Sequence, residues 1–318
     1  MNGPIVSVCC ITYNQENYIK DAVEGFLIQN IDFPIEIIIH DDASTDRTAE
    51  IIRQYEKGNP NLIRGIFQEE NQFSKGIVNV LKHIYGEARG KYIALCEGDD
   101  YWTDPLKLQK QVDFMEAHPE CSMCCHRVLY KYQNHEEKNH LFPDLEGDHI
   151  FQKEEMYRKY ISATCSLMFR RIKIKEFIQY LDGFFIGDVP LRMFYLQLGD
   201  MGYLDDVMAV YRKHDESYWN PHYKEYNFPV HFDTLVKIKS KLHIKGSKNF
   251  NSVISYYADK LLQKYFNQRD FEKMRDVIKR SGFSFIAAHK YRKRRFIVYS
   301  SIAFFPKLYL IYKSIKDS

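Results

Sequence analysis

Two short acidic stretches in this chain have the residue types and spacing for phosphate chemistry. Glu97, Gly98, Asp99 and Asp100 end one apolar run; His40, Asp41 and Asp42 end another, followed by Ala43-Ser44-Thr45-Asp46. Adjacent carboxylates are hard to keep ionised unless a cation or ligand donors offset them. A hard divalent ion that also touches phosphate oxygens is the natural occupant. Two such run ends point to one nucleotide-diphosphate site. A further carboxylate, Asp188, stands at the start of a predicted helix. The helix dipole there favours its ionised form and suits it to accept a proton. Arg212, Lys213 and His214 offer positive charge to a departing diphosphate.

These groups need elements to bring them together. Residues 5–11, 35–39, 62–67 and 91–95 read as buried strands. Between them run helical patterns. Asn14 is the expected cap for a helix carrying Tyr18, Ile19, Ala22, Val23, Phe26 and Leu27. Ser44 or Thr45 is the expected cap for one carrying Thr48, Ile51, Ile52 and Tyr55, and residues 76–85 form a third helix. Asp104 followed by Pro105 starts a fourth, which stops before Pro119. Such alternation predicts a mostly parallel sheet covered on both faces, with ligands at the carboxyl ends of its strands. Further on, residues 121–130, 163–170 and 204–211 read as strands, 133–148 as a loop, and 188–198 as a helix closed by Gly199. From about Val230 helical patterns dominate, marked by Leu235, Ile238, Leu242, Val253, Tyr256, Tyr257, Leu261 and Tyr265. The expected division is an α/β domain over 1–225 and a helical C-terminal region over 226–318.

A net charge of +3 calls for no nucleic-acid partner, and 45% apolar residues suit a globular core. The seven cysteines form no secreted disulfide pattern. Cys121-x-x-Cys124-Cys125 lacks a matching pair at zinc-ligand spacing, so these read as small core hydrophobes. The N-terminus lacks a charged-then-apolar leader, and a reducing cytoplasm is the expected setting. Near the C-terminus, basic residues 289–295 precede an aromatic run interrupted by Ser300, Ser301, Pro306 and Lys307, which argues against a spanning helix. Two readings stand for this tail. Its rings and cations suit an anionic membrane surface, or residues 296–312 pack on the helical region or a second copy in a homo-oligomer.

Residues 6–29, 37–52, 90–108 and 187–214 together resemble, in order and spacing, the family 2 inverting glycosyltransferases with the GT-A fold. The resemblance spans roughly the first 215 residues. It implies transfer of a sugar from a nucleotide diphosphate donor, most commonly UDP-linked, with inversion and with Mn²⁺ or Mg²⁺. Asp42 matches the aspartate that contacts the base. Asp99 and Asp100 match the metal-motif pair, with Asp100 the direct ligand, and Glu97 replaces the commoner first aspartate. Asp188 matches the general base. His214 matches a position that meets the metal or diphosphate. Thr12, Asn14, Lys75 and Arg212 complete the implied nucleotide-sugar set; Lys75 lies where relatives often hold an Arg or Asn. The acceptor implied is a glycan or lipid-linked glycan in bacterial surface polysaccharide synthesis, at the inner face of the cell membrane.

Three rival functions meet obstacles in the same residues. A sugar-nucleotide nucleotidyltransferase needs a glycine-rich basic loop after the first strand, but Thr12-Tyr13-Asn14-Gln15-Glu16 stands there. A dinucleotide-dependent oxidoreductase fails on the same loop. A non-catalytic sugar-nucleotide-binding protein or scaffold would have no need of both Asp100 and Asp188.

Overall fold

In the computed structural model, residues 3–214, 224–282, 284, 290–309 and 312 are described. The chain divides into two compact units, Met1–Asn220 and Pro221–Ser318.

The first unit opens with β1 (Val6–Thr12), α1 (Ile19–Leu27), β2 (Ile35–Asp41), α2 (Thr48–Gly58), β3 (Ile63–Phe67), α3 (Ile77–Glu87) and β4 (Tyr92–Glu97). β5 (Tyr101–Trp102), α4 (Lys107–Ala117), β6 (Cys121–Tyr132), β7 (His140–Phe142), β8 (His149–Phe151), α5 (Lys153–Met156) and β9 (Met168–Arg170) follow. α6 (Ile174–Tyr180), α7 (Asp188–Tyr195) and β10 (Asp200–Lys213) complete it. The strands form one mixed sheet in the order β3-β2-β1-β4-β9-β6-β10-β5, with β7 added on β6 and β8 on β10. The first four are parallel, as the alternation predicts. β9 runs antiparallel between β4 and β6.

The two-residue period of a strand sends alternate side chains to opposite faces. Val6, Val8 and Cys10 of β1, Ile37 and Ile39 of β2 and Tyr92, Ala94 and Cys96 of β4 join one buried cluster. Ile19, Val23 and Phe26 of α1 and Leu108, Val112 and Met115 of α4 close it. Tyr85 of α3, Phe177 of α6 and Tyr195 of α7 meet around Phe169 of β9 in a second, aromatic layer.

Three expected helix starts shift. Asn14 caps nothing: α1 begins at Ile19, and Asn14, at φ 51°, accepts a hydrogen bond from Thr45 N instead. Neither Ser44 nor Thr45 caps α2; Asp46 accepts from Thr48 N at 2.9 Å. Asp104 accepts from Leu106 N, and α4 starts at Lys107. The segment read as a loop over 133–148 contains β7, and the last strand runs from Asp200 to Lys213.

The second unit holds α8 (Lys224–Lys241), α9 (Lys248–Gln268), α10 (Phe271–Ser281) and α11 (Lys290–Phe304). Ser247 and Asp270 cap α9 and α10 through their side chains. The buried face of α9 is Phe250, Ile254, Ala258, Leu261 and Leu262, while Tyr256, expected on the apolar stripe, is exposed. Among the described residues no helix is long and apolar enough to cross a membrane.

Candidate active site

The acidic stretch lies where β1, β4 and β10 end together. β1 and β4 are paired in register up to Ile11 and Glu97, and Gly98 N donates to Ile11 O at 3.0 Å. Gly98 has to be glycine: a Cβ there would stand 2.8 Å from Thr12 Oγ1 and 2.6 Å from Gln15 Oε1. β5 then pairs antiparallel with Ala209 and Val210 of β10, which carries Arg212 and His214 to the acids. Arg212 N donates to Asp100 Oδ1 at 2.8 Å, and the Arg212 guanidinium donates to Asp99 O at 2.9 Å. His214 Nε2 lies 3.1 Å from Asp99 Oδ2.

The electrostatics of the pocket floor are unbalanced. Burial and the neighbouring Asp99 push the Glu97 carboxyl up to about 8. Burial, Asp99 and Glu97 push Asp100 well above the usual carboxylate range. Asp100 Oδ2 and Glu97 Oε2 are buried without a hydrogen-bond partner. Buried acceptors of this kind call for a donor or a cation. The donor set therefore fits a hard divalent ion held mainly by Asp100. Among the described residues no three His, Cys, Asp or Glu side chains form a ready ligand cluster. Donor phosphates and water would have to complete the coordination.

The loops after β2 and β3 meet at Asp42. Its N–H donates to Thr12 O, and its carboxylate accepts from Gln72 N at 2.7 Å and Phe73 N at 2.9 Å. Asp42 thus braces the 71–75 loop, and each oxygen keeps a second lone pair for a ligand. Ala43 beside it has φ 62°, a left-handed backbone that is uncommon outside glycine. Asn14 N donates to Ser44 Oγ, tying the loop after β1 to the loop after β2. Lys75 is engaged elsewhere: its half-exposed amine is 2.5 Å from Glu70 Oε2.

Asp188 begins α7 and contributes to the negative field at Glu97. Arg192, one turn on and buried, lies 3.8 Å from it. Ser162 holds that guanidinium through both its carbonyl and its hydroxyl, and the Tyr160 ring lies 4.4 Å below. Arg192 was not among the residues expected from sequence; its place four residues after Asp188 was the available signal. Asp21 was also missed. It pairs with Arg212 from the first turn of α1, and Tyr18 stacks 4.7 Å from the His214 ring.

The model of the family described as Glycosyl transferase family 2 matches residues 7–177, just over half of the chain. The chain belongs to that family. An uncharacterized protein of Mycobacterium tuberculosis is 37% identical over 229 residues, covering 69% of this chain and 62% of that protein. The match therefore spans less than two thirds of the relative's own length. The Escherichia coli UDP-Glc:alpha-D-GlcNAc-diphosphoundecaprenol beta-1,3-glucosyltransferase WfaP is 33% identical over 131 residues, 41% of this chain and 46% of that one. The S. aureus TarS 1-349 crystal structure in complex with UDP-GlcNAc has a TM-score of 0.61 at 16% identity, over 94% of this chain and 90% of that one. The mannosyltransferase PcManGT from Pyrobaculum calidifontis, in complex with GDP-Man and Mn²⁺, has a TM-score of 0.52 at 16% identity, over 99% and 84%. At such identities the likeness is one of fold, and the family 2 fold here is GT-A.

Proposed function

We propose that this chain transfers a sugar, with inversion, from a UDP-linked hexose or N-acetylhexosamine to an acceptor hydroxyl in bacterial surface polysaccharide synthesis. The observation that carries the reading is the meeting of Glu97, Asp99 and Asp100 with Arg212 and His214 at adjoining strand ends. UDP as carrier is supported by the TarS complex and by the donor in the name of the E. coli relative. That name also contains a diphosphoundecaprenol, which supports a lipid-linked acceptor reached at the inner face of a membrane. Transfer is assigned to residues 1–225, with 226–318 as a helical appendage.

In one displacement Asp188 takes the proton of the acceptor hydroxyl as its oxygen bonds to the anomeric carbon. The bond from that carbon to the diphosphate oxygen breaks on the opposite side, which inverts the configuration. Arg212, oriented by Asp21 and the Asp99 carbonyl, presents positive charge to the diphosphate. Thr12, Asn14, Asp42 and Asp99 surround the nucleotide end. Lys75, in an exposed pair with Glu70, can exchange that weak surface contact for the donor and completes the set. Asp100, with His214 beside it, would hold Mn²⁺ or Mg²⁺. Bound there, the cation supplies charge neutralisation for the diphosphate. The Mn²⁺ in the PcManGT complex supports this choice.

The test is a panel of nucleotide sugars scored for thermal stabilisation with and without Mn²⁺, then for release of nucleoside diphosphate with glycan acceptors. UDP-sugars should stabilise the chain in an Mn²⁺-dependent way and release UDP only when acceptor is present. Stabilisation with no turnover on any acceptor would mark a binding protein, and consumption of a nucleoside triphosphate a nucleotidyltransferase.

A further inference from the structure

α11 turns two different faces outward from its axis. One is docked within the second unit. Tyr299, Ile302 and Ala303 are buried there. Arg295 grips the buried Asp259 through both carboxylate oxygens, and Arg292 donates to Ser252 O and Ser255 Oγ. Arg275 of α10 donates to Ala303 O. The opposite face touches none of these groups. Ile297 is 63% exposed, Phe304 57%, and Phe305, just past the helix end, 67%. Lys293 and Arg294, one turn before Ile297, are exposed, as is Lys307. Positions 294, 297, 301 and 304 recur at helical spacing and share this side.

Three features of this face ask for a partner. Large aromatic side chains more than half exposed and adjacent to one another are an unusual surface for a chain that stands alone. The second half of the helix carries large apolar residues on both sides, Ile297 and Phe304 on the outward one, and the described contacts with α9 and α10 use the other. The first turn carries no acidic residue, and none occurs anywhere from Lys290 to Tyr309. Cations crowded at a helix N-terminus oppose the helix dipole, and the internal bonds of Arg292 and Arg295 explain the place of those two but not of Lys293 and Arg294. The charge complement of such a face is an anionic one. No helix among the described residues can cross a membrane, so the contact is peripheral.

We propose that this face of α11 docks on an anionic lipid surface, with Ile297, Phe304 and Phe305 at headgroup depth and Lys293, Arg294 and Lys307 on the lipid phosphates. The two readings of the tail then both hold, each for one face of one helix. Arg292 and Arg295 drop out of the lipid contact because the protein itself uses them. His289, Leu310, Ile311 and Lys313, which belong to the same basic and aromatic tail, lie outside the described residues.

The test uses the full chain, since deleting α11 would strip Asp259 of its partner. Sedimentation is measured with vesicles of phosphatidylglycerol in phosphatidylcholine and with phosphatidylcholine alone, at low and high salt, without donor or acceptor. The full chain should sediment with anionic vesicles at low salt and be released at high salt. K293Q/R294Q should lower the vesicle partition coefficient about thirty-fold, and F304S/F305S at least about tenfold with salt dependence retained. Both variants change only exposed side chains, and their melting temperatures should match that of the unaltered chain. Equal binding to neutral and anionic vesicles, no sedimentation at all, or wild-type partition by both variants would overturn the proposal. So would a dimer in solution that F304S/F305S dissolves, because the face would then bind a second copy. The readout involves no sugar transfer, so its failure leaves the catalytic reading standing, and the reverse also holds.

Discussion

Asp188 and Asp100 are both aspartates at element boundaries, yet their surroundings are opposite. Asp188 keeps 22% of its side chain exposed and faces the buried Arg192 guanidinium at 3.8 Å. Asp100 is buried, with one oxygen on Arg212 N and the other without a hydrogen-bond partner. The same Asp→Asn change should therefore fail in different ways. Asp188→Asn should lower turnover about 10²–10⁴-fold with donor affinity nearly unchanged, the range expected for a general base. Asp100→Asn should instead weaken Mn²⁺-dependent donor binding, read by calorimetry. A rate above about a tenth of wild type for Asp188→Asn at saturating substrates would take the base role from it. Asp42 answers to a different argument. It braces two backbone N–H groups as well as facing the site, so Asp42→Ala should lower the melting temperature and weaken UDP about ten- to a hundredfold. A lower melting temperature with unchanged UDP affinity would leave Asp42 a loop brace only. The acid cluster was legible because adjacent carboxylates ending an apolar run are costly to hold charged without a cation or donors beside them. The bracing of Asp42 was not, since its donors lie 30 and 31 positions away.

At the scale of elements, what could be read locally was read: strand runs and the parallel order of the first four. The antiparallel insertion of β9 was not legible, because it depends on which distant edge is free when Met168–Arg170 arrives. Helix starts were misplaced for a related reason. Asn14 and Ser44 are good caps by type, but tertiary partners recruited them first, whereas Asp104 keeps local partners in Leu106 N and Lys110. α4 hides a stronger surprise. Lys107, at its first position, is fully buried, its amine 3.6 Å over the Trp102 ring and without a hydrogen-bond partner. Burial pushes that amine down to about 7, with the thiols of Cys96, Cys124 and Cys165 acting weakly the other way. His126 of β6, itself pushed down to about 3 by burial first and Lys107 second, also faces it. In the unfolded chain the same amine titrates near its ordinary value of about 10.4. Between about pH 7 and about pH 10 the unfolded chain then holds more protons than the folded one, so stability rises with pH. Wild type should gain about 3 kcal/mol over that range relative to Lys107→Met. The Met variant should be more stable at pH 7 by about 2 kcal/mol, as when buried charge gives way to apolar volume. Urea unfolding of both proteins near neutral and alkaline pH checks this. Parallel pH slopes would mean that the Lys107 amine titrates alike in the folded and the unfolded chain.

At the scale of the whole molecule, the chain pairs a unit matched over residues 7–177 by the family model with a helical unit whose proposed role rests on one surface. The basic tail was ambiguous in sequence because a run of arginines does not reveal which of them meet an acid. Asp259, 36 residues before Arg295, is the partner that divides the helix into a docked face and an exposed one. That pair makes an asymmetric prediction. The Asp259 side chain is 4% exposed and Arg295 47%, so the two charges stand in different dielectric surroundings. Arg295→Met leaves a carboxylate buried with, among the described residues, Gln263 alone to donate to it and should cost about 2 kcal/mol, less than a fully buried pair because the guanidinium is half in water. Asp259→Asn lets Arg295 return to solvent and should cost under about 1 kcal/mol. The double variant should recover most of the loss, because no unpaired charge is then left inside. A urea-unfolding cycle of the three proteins reads these values directly. Equal costs for the two single changes would mean that the pair behaves as a surface contact, and that the docking of α11 rests on Tyr299, Ile302 and Ala303 with the Arg292 and Arg275 hydrogen bonds.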